Sequence, residues 1–154
     1  MIDLSELQDV SLFEGLVLSQ LRSIANEGEV LDLERGDILF EEDNPGRDLY
    51  ILLEGKIRIE VAVPGGRSER QEQIQEIQPG EVLGEFSYVD EAPRSATARA
   101  ERNSRLFFIA ATNLDKLIEG NPELGYHIMH NIAKTLCTRI RNANLALRNA
   151  LIWI

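Results

Sequence analysis

Apolar positions along the chain fall into three regimes. In the first thirty residues Leu4, Leu7, Val10, Leu12, Phe13, Leu16, Leu18, Leu21, Ile24 and Ala25 recur at intervals of mostly three and four. That spacing puts them on one side of short helices, interrupted near Gly15. From Val30 the period changes. Lys56–Val63 alternates, with Ile57, Ile59, Val61 and Val63 on one face, which predicts a half-buried strand. The apolar run Leu49–Leu53 precedes it, and Glu54-Gly55 between the two predicts a tight hairpin. Gly36-Asp37, Asn44-Pro45-Gly46, Pro64-Gly65-Gly66 and Pro79-Gly80 supply turn residues at regular spacing. Short strands between such turns predict a small antiparallel sandwich or barrel over residues 30–110.

Helical spacing returns after residue 111. Thr112, with Asp115 three residues on, predicts the cap of a helix carrying Leu114, Leu117 and Ile118. Asn121-Pro122 is a stronger start, because Asn accepts from free N–H groups and Pro suits the first helical position. No later proline interrupts this helix, so it is expected to run to the chain end. Leu124, Ile128, Ile132 and Leu136 are four apart; Leu136, Ile140, Ala143, Leu147, Ala150 and Ile154 then alternate four and three. The second pattern is a coiled-coil seam of under three heptads. Two readings follow from it: a helix that pairs with a second copy of itself, or one packed on its own β-body.

Composition narrows the class. The 154 residues are 44% hydrophobic and 27% charged, which suits one globular domain with a single core. Sixteen Lys and Arg stand against 26 Asp and Glu, a net charge of −10. So acidic a surface repels polyphosphate, and nucleic acid is not an expected partner. The charge is uneven: residues 121–154 carry four bases (Lys134, Arg139, Arg141, Arg148) and one acid (Glu123). The single cysteine, Cys137, excludes an internal disulfide and a multi-cysteine metal site. No apolar run is long enough for a membrane span and the N-terminus lacks a signal-peptide form, so the expectation is a cytoplasmic chain without a membrane partner.

The chemistry concentrates in Gly84–Thr97. Pro79-Gly80-Glu81 turns into a short strand, Val82-Leu83, which Gly84 ends where the missing side chain permits a close approach to the backbone. A short helical turn after Gly84 has free N–H groups at its start and is suited to an anion. Ten residues later Arg94 offers a fixed fork of donors suited to phosphate, with the Ser95 hydroxyl beside it. Glu85 is an acceptor for sugar hydroxyls and repels phosphate. In an electronegative body, an anion must find positive potential locally, and Arg94 is its source. One carboxylate and one guanidinium on a small loop fit a nucleotide of compact charge.

Gly84-Glu85, then Arg94-Ser95-Ala96-Thr97, resembles the phosphate-binding cassette (residues 84–97) of the cyclic-nucleotide-binding domain family. Ser11–Leu16 is similar to that family's opening helical segment. Glu34–Asp37, Leu49–Lys56 and Pro79–Glu81 are similar to its turn glycines in order, and Asn121-Pro122 to the start of its long C-terminal helix. The resemblance covers nearly the whole chain. It implies a mainly-β fold with flanking helices: a double-stranded β-helix (a jelly-roll-like β-roll) over 30–110, a helical lead-in over 1–29, and C-terminal helices over 112–154. It implies that Glu85 accepts the ribose 2′-hydroxyl, that Arg94 pairs with the cyclic phosphate and that Ser95 donates to it. Gly84 and Phe86 offer backbone groups beside the sugar, and Val82 forms an apolar wall for the base. Phe86-Ser87-Tyr88 replaces a more aliphatic run of the family. Arg139, with Thr138 and Asn142 beside it, is the candidate to stack on the purine from the last helix. The implied ligand is cyclic AMP or cyclic GMP, with base preference open because Ser95 occurs in binders of both. The implied role is a sensor, without catalysis, that moves its C-terminal helix, pairs as a homodimer through it and acts on a downstream protein.

Other readings compete with this one. Arg94 and Glu85 form a structural ion pair in a chain that no longer binds nucleotide, in which case the domain is a dimerisation module. A transcription regulator would need a helix-turn-helix beyond Ile154. Glu123, His127 and His130 fall on neighbouring helical turns, but such a set on one helix is commonly accidental, and no metal is expected. Glu41-Glu42-Asp43 lacks calcium-loop spacing. A metal-dependent cupin needs histidines on strands, whereas both histidines lie on the last helix. Cys137 has no histidine placed to activate it.

Overall fold

The computed structural model describes residues 2–65 and 68–154. Helix α1 (Leu4–Gln8) begins at Asp3, whose side chain accepts from Ser5 N–H while Glu6 reaches back to the Asp3 N–H, a reciprocal cap. A 3-10 turn (Ser11–Phe13) and α2 (Leu18–Glu27) follow, either side of Gly15. The predicted lead-in therefore has the expected break.

Among the described residues six strands come next: β1 (Glu29–Leu33), β2 (Ile38–Phe40), β3 (Leu49–Gly65), β4 (Ser68–Ile77), β5 (Val82–Leu83) and β6 (Thr97–Ile109). All pairings are antiparallel, in the order β1-β6-β3-β4, with β2 also on β6 and β5 on β3. The antiparallel β-body of the sequence reading is thus present. One feature of it is corrected. Glu54-Gly55 is no hairpin: Leu49 to Gly65 is a single bent strand, and its register against β6 shifts on both sides of Gly55. Gly55 has φ +99°, and a Cβ there would lie 2.3 Å from Ser104 Oγ and 2.6 Å from the Asn103 carbonyl. Only glycine permits that bulge, which bends one strand to serve both ends of the roll. The predicted turn at Pro64-Gly65-Gly66 includes Gly66, which lies outside the described residues.

Two apolar cores result. Inside the roll, Leu52, Ile57, Ile59, Ile77, Leu83, Ala96, Ala98, Ala100 and Leu106 pack together. On the helical side, Leu7, Leu12, Phe13 and Ile24 meet Ile51, Val82, Phe107 and Ile109, and Leu114, Leu124, Ile128 and Ile132 close that layer.

Helix α3 (Glu85–Asp90) follows β5, and α4 (Ala111–Gly120) and α5 (Pro122–Ile152) end the chain. Thr112 is not the α4 cap; Ala110 holds that position and has no side-chain bond to offer. The free Ala111 N–H is instead accepted by Asp48 Oδ1 at 2.9 Å, an acceptor from the far side of the sequence that no local pattern reveals. Asn121 does cap α5, accepting from Leu124 N–H at 3.2 Å. Both readings of the long helix meet on it. Leu124, Ile128 and Ile132 are buried on their own β-body, whereas Ile140, Leu147 and Leu151 are each nearly 60% exposed. Among the described residues no helix is long and apolar enough to cross a membrane.

Candidate functional site

The segment 84–97 wraps one end of the roll. Gly84 adopts φ +87° at the start of α3, and a Cβ there would lie 2.7 Å from the Asp48 carbonyl and 2.8 Å from Arg94 Nη1. The close approach anticipated at Gly84 is thus made by Arg94 and the Asp48 backbone. Arg94 is 4% exposed. Its Nη1 donates to the Gly84 carbonyl at 3.1 Å and its Nη2 to the Asp48 carbonyl at 3.0 Å. Its guanidinium carbon lies 4.5 Å from the Phe40 ring centroid and 6.0 Å from that of Tyr50. Burial pushes its pKa below the ordinary value, with Tyr50 and Asp48 opposing the shift. Its main chain is locked as well: Arg94 N–H donates to the Asn44 carbonyl at 2.9 Å, and Asp43 N–H donates to the Arg94 carbonyl at 2.8 Å. Two carbonyls use two of the five guanidinium N–H donors, leaving three for an anion.

No carboxylate pairs with Arg94 among the described residues. Glu85, the expected alternative partner, turns elsewhere: it is fully buried and forms an ion pair with Arg139 Nη1 from α5. Neither Glu85 oxygen accepts a well-formed hydrogen bond among the described residues. Arg139 also donates through Nη2 to the Val82 carbonyl. Its side chain is 13% exposed, and burial pushes its pKa down to about 10 against the raising effect of Glu81. Arg139 is therefore not a solvated surface residue, although it borders the neighbouring groove. It fills the place beside Glu85.

A cavity of about 40 Å³ lies between these groups, lined by Gly84, Glu85, Phe86, Arg94, Ser95 and Arg139 among others. The structure thus brings together all the predicted site residues; Val82 joins through its carbonyl, which accepts from Arg139, while its side chain is buried in the helical-side core and borders the neighbouring groove. Ser95 is exposed at the rim, and Phe86 is 41% exposed. The groove, about 320 Å³, runs along α5 past Glu81, Val82, Lys134, Thr135, Thr138 and Asn142. Arg139 and Gln75 line both spaces. A nucleotide needs a few hundred Å³. The cavity alone is too small, and Arg139 and Gln75 stand between it and the groove.

Sequence reasoning missed the supports behind the cassette. Arg47 donates to Asp115 Oδ2 of α4 at 3.2 Å and to the Tyr88 carbonyl of α3 at 3.2 Å. The Tyr88 hydroxyl donates to Asp115 Oδ1 at 2.8 Å. Asp48 joins the same system, since its carbonyl holds Arg94 while its carboxylate caps α4. Cassette and α4 are thereby tied through Arg47-Asp48, a dipeptide in a loop with no pattern to mark it.

The family model of the cyclic nucleotide-binding domain matches residues 30–121. The chain is 29% identical over 135 residues to a CRP-like cAMP-activated global transcriptional regulator of Mycobacterium tuberculosis, covering 88% of this chain and 58% of that protein. It therefore spans little more than half the length of that relative. The solved catabolite activator protein of Thermus thermophilus superposes with a TM-score of 0.73 at 27% identity, over 91% of this chain and 62% of that one. A cyclic nucleotide-binding domain from Methylobacillus flagellatus shares the fold, with a TM-score of 0.85 at 21% identity over 95% of this chain and 83% of that one.

Proposed function

The chain belongs to the cyclic nucleotide-binding domain family, and from that premise we propose that it is a sensor that admits a cyclic nucleotide by displacing Arg139 from Glu85. The observation that carries the reading is Arg94: a guanidinium 4% exposed, held by backbone carbonyls and aromatic faces, with no carboxylate of its own among the described residues. A buried charge left unpaired is costly, and a phosphate offered to its three remaining donors relieves that cost. Glu85 then accepts the ribose 2′-hydroxyl, a bond its buried and poorly satisfied oxygens favour. Ser95 at the rim donates to the phosphate, and Gly84 and Phe86 border the sugar.

Coupling follows from competition for one carboxylate. Glu85 cannot hold both Arg139 and a ribose hydroxyl in so small a cavity, so a bound nucleotide favours the arrangement of α5 in which Arg139 has left. The size of that shift is the ligand's differential affinity for the two arrangements. Beyond Leu136 the apolar positions of α5 are exposed, which supports a second copy as their partner and a helix pair as the output read by a downstream protein. Nothing in this reading requires catalysis.

One observation favours a second reading. Arg139 already fills the site, as it would in a dimerisation module without ligand. Calorimetry with cyclic AMP and cyclic GMP separates the two. The sensor gives saturable heat and a thermal shift with at least one of them; no heat and no shift at millimolar nucleotide would leave the dimerisation module standing.

A further inference from the structure

Strand β4 places an amide on the inner face of the roll that the phosphate and ribose contacts do not explain. In register with β3, Ile57 faces Ile77 and Ile59 faces Gln75. Cross-strand partners share a face, and Ile57, Ile59 and Ile77 all point into the roll. Gln75 is therefore on the inner face, where its neighbours are isoleucines. The adjacent Ile74 is 61% exposed. Ile74 is the extra residue of a bulge, between Gln75 opposite Ile59 and Gln73 opposite Glu60, and beside it the amide stands on the inner face where a half-buried strand wants an apolar group. Local violations of pattern of this kind are expected where a residue serves a ligand rather than the fold.

The place of Gln75 says which part of the ligand. It lines both the cavity that holds Glu85 and Arg94 and the groove beyond Arg139. With the phosphate at Arg94 and the ribose at Glu85, the base extends away from the phosphate, through the opening that Arg139 and Gln75 share. Resting on the sensor reading, we propose that Gln75 reads the edge of the purine and selects adenine over guanine. A primary amide presents a donor and an acceptor side by side. Adenine offers the complement, an N6 amino donor next to the N7 acceptor, whereas guanine offers two acceptors, O6 and N7, on the same edge. Against guanine the amide oxygen faces O6, and one buried polar group is left without a partner.

The test is a set of calorimetric titrations with cyclic AMP, cyclic GMP and 7-deaza-cyclic AMP, on the full chain and on Gln75→Leu, which suits the apolar inner face. The full chain binds cyclic AMP about tenfold or more tighter than cyclic GMP, and loses about tenfold with the 7-deaza analogue. In Gln75→Leu the cyclic AMP affinity falls, the two natural nucleotides come within about twofold, and the 7-deaza penalty vanishes. The 7-deaza titration of the unaltered chain stands even if the variant folds poorly. A nucleotide preference unchanged in Gln75→Leu, or no 7-deaza penalty, overturns the role of Gln75 and leaves the sensor reading intact. Absence of binding by all three nucleotides to the unaltered chain overturns both.

Discussion

Arg94 and Arg139 are both guanidinium groups buried beside the same cavity, yet they are held in opposite ways. Arg94 rises from the loop before β6 and is fixed by main chain: the Gly84 and Asp48 carbonyls hold its side chain, and Asp43 and Asn44 hold its backbone. Its charge has nowhere to go. Arg139 sits seven residues past Ile132, the last fully packed residue of α5, on a helix whose remaining turns are largely exposed. Its hold is one ion pair with Glu85 and one bond to the Val82 carbonyl. A long side chain on a lightly anchored helix can return to water once a ligand gives the buried Glu85 another partner. One arginine is a receptor built into the scaffold; the other is an occupant that a ligand can replace. The difference lies in the elements that carry them, not in their chemistry.

The largest expected effect is at the fixed arginine. Arg94→Ala removes the anion's partner and should weaken cyclic AMP binding by about 2–5 kcal/mol, read as the ratio of calorimetric affinities. Affinity equal to that of the unaltered chain would place the phosphate elsewhere. Glu85→Ala comes next. It removes the ribose acceptor, a bond to a charged group worth about 1.5–3 kcal/mol, but it also frees Arg139, which offsets part of the loss. Binding should therefore fall less than in Arg94→Ala, while trypsin cleavage after Arg139 becomes faster without ligand. Unchanged cleavage would mean that the Glu85 contact does not hold the helix. The smallest effect is remote from the site and serves as a control. Glu6 pairs with Arg105 of β6, and that hydrogen bond holds the Glu6 carboxyl below its ordinary range. A carboxyl whose folded pKa is depressed contributes stability that is present at neutral pH and lost as pH falls through its titration. Glu6→Gln should thus lower the urea midpoint at pH 7 by the equivalent of under about 1 kcal/mol, a gap that closes as pH falls through the Glu6 titration, with cyclic AMP affinity unaltered.

The two arginines also mark how far the sequence could be read. Arg94 stands out in the sequence because Gly84-Glu85 and Arg94-Ser95 lie at a fixed spacing on one loop, although Phe40, Asn44 and Asp48, which hold it, come from a distant segment. The antiparallel body and the Asn121-Pro122 helix start were legible for the same reason, since alternation and caps are short-range signals. Failures occurred wherever a distant segment decides the outcome. Gly55 reads as a hairpin in isolation, and becomes a bulge because Asn103 and Ser104 crowd it. Thr112 reads as a cap, but Asp48 satisfies α4 from another part of the fold. Arg139 was singled out as a group to lie over the base, and its insertion against Glu85 depends on how α5 crosses the roll, which no periodicity encodes. Gln75 was not singled out, because only its register opposite Ile59, next to a bulge at Ile74, puts it on the inner face.

Titrating cyclic AMP into Arg139→Ala beside the unaltered chain tests displacement most directly. If Arg139 is an occupant that the nucleotide must evict, the variant binds more tightly, by about fivefold or more, because that cost is gone. If the variant binds more weakly, the guanidinium is a clasp on the bound base, and the competition for Glu85 described here is wrong.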